Sequence, residues 1–232
     1  MAPTAHGTGI KVKQVLPGKV LNLRCAKGLR FNRDGLTLPI LGSMIAICAA
    51  AAPQENILNL AKAKGVKPEG ITAILLDRPR HADIIAAVRK TGAAVTLITD
   101  GDVAGVIHCA EPKTGIDIYL GIGGAPEGVL AAAALRCIGG QMQTRLVLDT
   151  EERRERAAKM GIKDPKKKFE IEDMVRGDCL FAATGVTTGA MLNGVKFGKE
   201  VIETETVVMR SVTGTVRRVN AEHRQLDKFH LD

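Results

Sequence analysis

Aromatic side chains are nearly missing from this 232-residue chain, which has no tryptophan, one tyrosine and five phenylalanines. Single-stranded nucleic acids are gripped by rows of such rings, so composition alone excludes a stacking platform. Cysteine is sparse and unpaired in pattern. Cys25, Cys48, Cys109, Cys137 and Cys179 are odd in number, widely spaced and never arranged as C-x-x-C. That spacing suits neither a disulfide framework nor a zinc site, and predicts buried, reduced thiols in a reducing, cytoplasmic compartment. Acid is scarce at the amino end, where Lys11, Lys13, Lys19, Arg24, Lys27, Arg30 and Arg33 face only Asp34. Six of the net +8 charges therefore belong to residues 1–54, and the body of the chain has little excess of either sign. A nucleic-acid footprint on the body is not expected. Charge is absent altogether from Gly35 to Gln54, and Leu36 to Ala52 is mostly apolar. Pro39, Gly42 and Ser43 interrupt that run, and the cations ahead of it are too scattered for a signal peptide. Neither export nor a membrane anchor is expected. The chain also lacks G-x-G-x-x-G and a Gly-Lys-Ser/Thr ending, which leaves a dinucleotide fold or P-loop without support.

An apolar fraction of 45% and a charged fraction of 25% are ordinary for a globular protein. The length suffices for one large domain or two small ones with a real core. The body alternates in type. Helical spacing runs over Glu55–Lys64, Ala82–Lys90, Val103–Cys109 and Pro126–Cys137. Short apolar runs read as strands at Ile71–Leu76, Ala94–Ile98, Ile116–Ile122 and Arg145–Leu148. Strands separated by helices imply a layered α/β domain with a largely buried sheet. Beyond Asp149, Glu151–Met160 reads as an exposed helix and Lys166–Lys168 as a solvated loop. Leu180–Thr184 reads as a strand leading into the glycine-rich Gly185–Gly189. Thr206–Val212 and Thr215–Val219 alternate around Thr213-Gly214, which predicts a terminal hairpin.

The chemistry gathers where strands end. Gly121-Ile122-Gly123-Gly124-Ala125-Pro126-Glu127-Gly128 has the grammar of a strand, a glycine turn and a helix. Proline fits the first helical turn, whose exposed N–H groups favour anions, and Glu127 places a carboxylate there for a cation. Asp77-Arg78-Pro79-Arg80-His81 offers two guanidinium forks to a phosphate, or equally a helix start with surface arginines. His81 reads as structural. Thr99-Asp100-Gly101-Asp102 could hold sugar hydroxyls or a metal, although a turn with an N-cap is the plainer reading. Ligands of open α/β sheets lie beyond the carboxyl ends of strands, and successive strand ends here carry arginines, acids and an anion-binding loop. Such a set suits a phosphate ester with a divalent ion at its reacting oxygen.

These residues resemble a known family. Leu75-Leu76-Asp77-Arg78-Pro79-Arg80-His81, Asp100-Gly101-Asp102-Val103, Gly121 to Gly128, and Phe181-Ala182-Ala183-Thr184-Gly185-Val186 occur in the order and spacing of class II fructose-1,6-bisphosphatases, including the bacterial fructose/sedoheptulose type. The resemblance runs from about Gln54 to the carboxyl end. It implies the layered α/β fold of the lithium-sensitive sugar phosphatases, in its carboxyl-terminal portion. It also implies metal-dependent hydrolysis of the 1-phosphate of fructose 1,6-bisphosphate, a gluconeogenic reaction. By motif, Arg78, Pro79, Arg80, Asp100, Gly101, Asp102 and Gly124 would contact the substrate. Glu127 would bind Mn2+ or Mg2+.

The departure from the family lies upstream. Its glutamate-rich G-E-G-E-type motif, its D-P-[LI]-[ED]-G-T motif and its substrate tyrosine do not occur here, and no catalytic residue is assigned. Hard divalent cations want several oxygen ligands, which Glu127 alone does not supply. The expected organisation is an unmatched basic and apolar leader over 1–53, of unrelated or frame-shifted origin, joined to the carboxyl-terminal part of a bisphosphatase over 54–232. Turnover by this chain therefore stays open, and the alternative is a non-catalytic sugar-phosphate-binding remnant or a partner of an intact subunit. A third reading makes the leader a nucleic-acid or membrane tether. The expected partner is a small sugar bisphosphate, with no nucleic acid and no membrane. The family's habit suggests homo-oligomers, and a cut sheet edge predicts poor solubility.

Overall fold

The computed structural model describes residues 19–26 and 49–229, with the backbone alone over 19–26. Among the described residues, ten strands and six helices follow one another in the order β1 (Lys19–Ala26), α1 (Pro53–Lys64), β2 (Thr72–Leu76), α2 (Ala82–Arg89), β3 (Ala94–Ile98), α3 (Asp102–Ala110), β4 (Ile118–Gly124), α4 (Ala125–Ile138), β5 (Gln141–Arg145), α5 (Glu151–Lys159), β6 (Lys168–Glu170), α6 (Ile171–Met174), β7 (Leu180–Thr184), β8 (Lys196–Phe197), β9 (Ile202–Arg210) and β10 (Thr215–His223). They build a mixed α/β molecule with two sheets. The first has the order β3-β2-β4-β1-β5-β6 and the second β10-β9-β7, with β8 on β9. Within the first sheet β2 lies parallel to both β3 and β4, so three neighbouring strands end on the same side. Strand β1, from the segment 1–53, runs antiparallel to β4 and β5 and joins the two halves of the sheet.

Packing follows the apolar stripes. Ile57, Leu60 and Ala61 of α1 with Ile85 and Val88 of α2 cover one face of β2 and β4, against Ala73, Leu75, Ile118 and Leu120. On the opposite face α3 and α4 meet Ile74, Tyr119 and Met142 through Val106, Cys109, Ala131, Ala132 and Leu135. The outer side of the same two helices packs on the second sheet, with Ile107, Ala134 and Cys137 against Phe181, Val207 and Met209. A helix apolar all round is a buried helix. Helix α4 has that character, and its run Ala131–Ala134 is buried on both sides because methyl groups are all that fits between two sheets.

Several expectations change. The strand read at Arg145–Leu148 lies at Gln141–Arg145, while Leu146 to Leu148 pack as irregular chain against Ala157 and Phe169. Its polar residues tolerate burial because they are paired: Gln143 accepts from the Ala49 N–H at 2.7 Å and donates to Glu170 Oε1 at 2.6 Å. The glycines 121, 123 and 124 form no turn. They extend β4, since β1 pairs with them (Gly121 with Leu23, Gly123 with Val20, Gly124 with Lys19) and satisfies their backbone groups. Lys168 belongs to strand β6 and not to a solvated loop, and Lys167 reaches Asp173 at 2.9 Å and the Phe169 ring at 5.0 Å. The sheet is not buried throughout: β3 is an edge with three of its five residues exposed, including Leu97.

Strands β9 and β10 pair antiparallel from Ile202–His223 to Arg210–Thr215, around Gly214 at φ 59°. The apolar run of residues 36–52 lies mostly outside the described residues. Among the described residues no helix is long and apolar enough to cross a membrane. Cys109, Cys137 and Cys179 are all free of disulfides, the first two buried. The Sγ atoms of Cys137 and Cys179 lie 3.5 Å apart, and burial pushes the Cys137 thiol up to about 12.

Candidate functional site

The parallel trio β3-β2-β4 places three polar segments side by side. After β2 the chain makes one turn of 3-10 helix over Pro79–His81, closed by the His81 N–H donating to Arg78 O at 2.8 Å. His81 is fully buried beneath this turn. Its Nδ1 donates to Leu76 O at 2.8 Å, and its Nε2 accepts from the Ile122 N–H at 2.9 Å. Nε2 also lies 3.1 Å from Ile122 O, so both backbone groups of Ile122 meet this nitrogen. The imidazole thus clamps the end of β2 to β4, a structural role. Arg80 leans the same way, its Nε donating to Ile122 O at 2.8 Å while the residue stays exposed. Arg78 diverges: it lines a cavity of about 380 Å3 with Pro79, Ile85, Arg89 and Leu97, beside the β3 edge. The two guanidinium groups therefore do not form one fork.

After β3, Gly101 takes φ 81°, where a glycine is needed, and caps α3. Asp100 Oδ1 accepts from the Gly101 N–H at 2.8 Å, and Asp102 Oδ1 from the Val103 N–H at 2.9 Å. The segment does turn, at Gly101, but neither aspartate makes a side-chain capping bond to α3. After β4, Gly124 is an extended N-cap, Pro126 lies in the first turn of α4, and Glu127 follows. The Glu127 carboxylate folds back over Gly124, and a Cβ at position 124 would overlap its Oε2. The mouth of this helix is therefore already covered by a carboxylate of its own.

One of the acids is perturbed. The Asp102 carboxyl is held above the usual carboxylate range, chiefly by burial, with the Val103 N–H opposing and the charges of Glu127 and then Asp100 adding. Beneath them lies Tyr119 of β4, completely buried, its phenol pushed up mainly by burial and by Asp102, with Arg80 opposing. Its hydroxyl has no hydrogen-bond partner among the described residues. Arg80, Asp102, Gly124 and Glu127 thus share one end of the sheet, with Asp100 and Gly101 on its exposed rim. Pro79 is exposed on the turn and Arg78 faces away. Among the described residues no three His, Cys, Asp or Glu side chains are placed to hold a metal ion. The donors present do not by themselves fit a divalent cation, which wants six or so oxygens.

Tyr119 is not among the residues that the motifs point to. The available signal was a hydroxyl in an otherwise apolar strand, two residues before Gly121 and so on the same face. The Phe181–Val186 segment lies at the second sheet, where small residues allow backbones to touch. A Cβ at Gly185 would overlap Asn193 O, and one at Gly194 would come within 2.5 Å of Thr188 N. Glu205 fixes that loop by accepting from both the N–H and the Nδ2 of Asn193, at 2.7 and 2.8 Å. A further cavity of about 300 Å3 opens at the carboxyl end of α4, with Arg136 and Glu172 on its wall, and shares no residue with the strand-end cluster.

Comparison with known proteins gives concordant results. The family profile described as "Bacterial fructose-1,6-bisphosphatase, glpX-encoded" matches residues 41–223, beginning ahead of the composition change near residues 52–54. Proteins named D-fructose 1,6-bisphosphatase class 2/sedoheptulose 1,7-bisphosphatase are similar over most of the chain. That of Synechococcus sp. (strain JA-3-3Ab) is 40% identical over 184 residues, covering 74% of this chain and 53% of the relative. That of Synechococcus sp. (strain JA-2-3B'a(2-13)) has the same identity and coverage. That of Synechocystis sp. (strain ATCC 27184 / PCC 6803 / Kazusa) is 40% identical over 182 residues, covering 73% of this chain and 53% of its own. The chain spans about half the length of these relatives.

Proposed function

Since the chain belongs to the bacterial, glpX-encoded fructose-1,6-bisphosphatases, we propose that it carries the sugar-phosphate-gripping part of a metal-dependent phosphatase acting on the 1-phosphate of fructose 1,6-bisphosphate. Residues 54–232 are read as the carboxyl-terminal portion of the lithium-sensitive phosphatase fold, with β9 and β10 as its terminal hairpin. The observation that carries this reading is the gathering of Arg80, Asp102, Gly124 and Glu127 at the carboxyl ends of β2, β3 and β4. There the Arg80 guanidinium offers N–H donors to phosphate oxygens, held in place by its bond to Ile122 O. Asp100 and Asp102 accept from sugar hydroxyls. Glu127 serves as a single ligand to manganese or magnesium, and the described donors do not hold the ion alone. The compartment is the cytoplasm and the assembly a homo-oligomer.

A second reading is favoured by the donor count at the site: binding of the sugar bisphosphate without turnover, as a regulatory partner of an intact subunit. Phosphate release from fructose 1,6-bisphosphate, measured with and without manganese, separates the two. Manganese-dependent release that Glu127→Gln abolishes supports the phosphatase, whereas binding without release supports the second reading. Absence of both binding and release would overturn the assignment altogether.

A further inference from the structure

We infer that Tyr119 is a positioning residue of the strand-end site, its hydroxyl donating to the Asp102 carboxylate when a sugar-phosphate ester is bound and aiming that carboxylate at a sugar hydroxyl. The inference rests on the sugar-phosphate reading above. Tyr119 sits in an apolar cluster with Ile74, Val106 and Leu135, where a phenylalanine would fill the same space. The surroundings are cut to its ring. A Cβ on Gly105 of α3 would come within 3.0 Å of Tyr119 Cε2, and one on Gly121 within 3.0 Å of the hydroxyl itself. The ring thus lies beneath two glycines and carries its oxygen along β4 toward the site. A buried donor left unpaired is destabilising, and this one has no partner among the described residues. Asp102 and Arg80 are the site groups whose charges act on it. A guanidinium has only donors, so of these two only Asp102 can accept the phenolic proton. Asp102 retains capacity to do so, because its recorded bond from the Val103 N–H engages Oδ1. With the inner side of the carboxylate fixed by Tyr119, its outer side is left to accept from the ligand.

The test exploits this being the only tyrosine of the chain. Fluorotyrosine incorporation gives one fluorine resonance, which is expected to move on titration with fructose 1,6-bisphosphate and to hold still with inorganic phosphate, which has no sugar hydroxyl. The movement should vanish in Asp102→Asn. Calorimetry of Tyr119→Phe should show fructose 1,6-bisphosphate weakened roughly tenfold, the scale of a hydrogen bond to a charged group. Inorganic phosphate binding should be unchanged, and the double variant no weaker than Asp102→Asn alone. Unaltered sugar-ester binding by Tyr119→Phe would overturn the inference and leave the site reading standing. Equal weakening of both ligands would also overturn it, as a disturbance of the ring. A wild-type chain that binds neither ligand would remove the site reading and the inference with it.

Discussion

Gly124 and Glu127 set a test at the scale of single residues. A methyl group at 124 meets only the far end of a flexible carboxylate, and the backbone there, φ −76° and ψ 151°, is open to any residue. Gly124→Ala should therefore leave stability within about 1 kcal/mol, since it also narrows the unfolded ensemble. It should displace Glu127 and weaken manganese-dependent activity or binding. Equal melting temperatures with a loss in a manganese titration check this. Asp102 gives the opposite pairing. Its folded-state pKa lies above the ordinary value, so the folded chain holds the proton more tightly and stability falls as pH rises through that window. At neutral pH the cost of a half-buried charge is fully present. Asp102→Asn should raise the urea midpoint at pH 7, raise it less at pH 4, and weaken sugar-phosphate binding. Their placement at the carboxyl ends of β2, β3 and β4 was legible because the apolar runs stop just before them or at them. Divergence of Arg78 from Arg80 was not legible, because it depends on the 3-10 turn that sends successive side chains to different sides.

Among the elements, α3 and α4 carry the most consequence, each packed between sheets. Replacing a methyl group in α4 by a larger side chain must push two layers apart. Ala134→Leu is expected to cost about 1–3 kcal/mol, the usual scale of overpacking, read as a lower denaturation midpoint. The helical spacing of Pro126–Cys137 marked α4 though not its burial, and Ala94–Ile98 and Leu180–Thr184 stand where the residue patterns put them. Strand β5 was misplaced because an apolar run does not distinguish a strand from core-facing irregular chain. Its own polar residues are buried only through partners remote in sequence, Gln143 with Ala49 and Glu170. The β4 glycines were misread for the same reason, their extension depending on pairing with β1.

For the whole molecule, apolar clusters joined to one another, the first to the second through β2 and β4 and the second to the third through α3 and α4, predict a single cooperative unfolding transition. Thiol accessibility reports it. Buried Cys109 and Cys137 should resist a disulfide reagent until global unfolding, with Cys137 further disfavoured as a thiolate, while half-buried Cys179 reacts in the native state. Peptide mapping after labelling across a urea series checks the order. Labelling of Cys137 well below the unfolding midpoint would show that the second sheet detaches by itself.

A helix wedged between two sheets has no room to tilt, and Glu127 stands in its first turn. The helix that carries this carboxylate is consequently held by methyl groups about one to two turns further on, while Gly124 leaves the room into which it folds. Drift in affinity among related chains should accordingly trace to residues that never approach the ligand, and engineers tuning this pocket would do well to begin in the alanines.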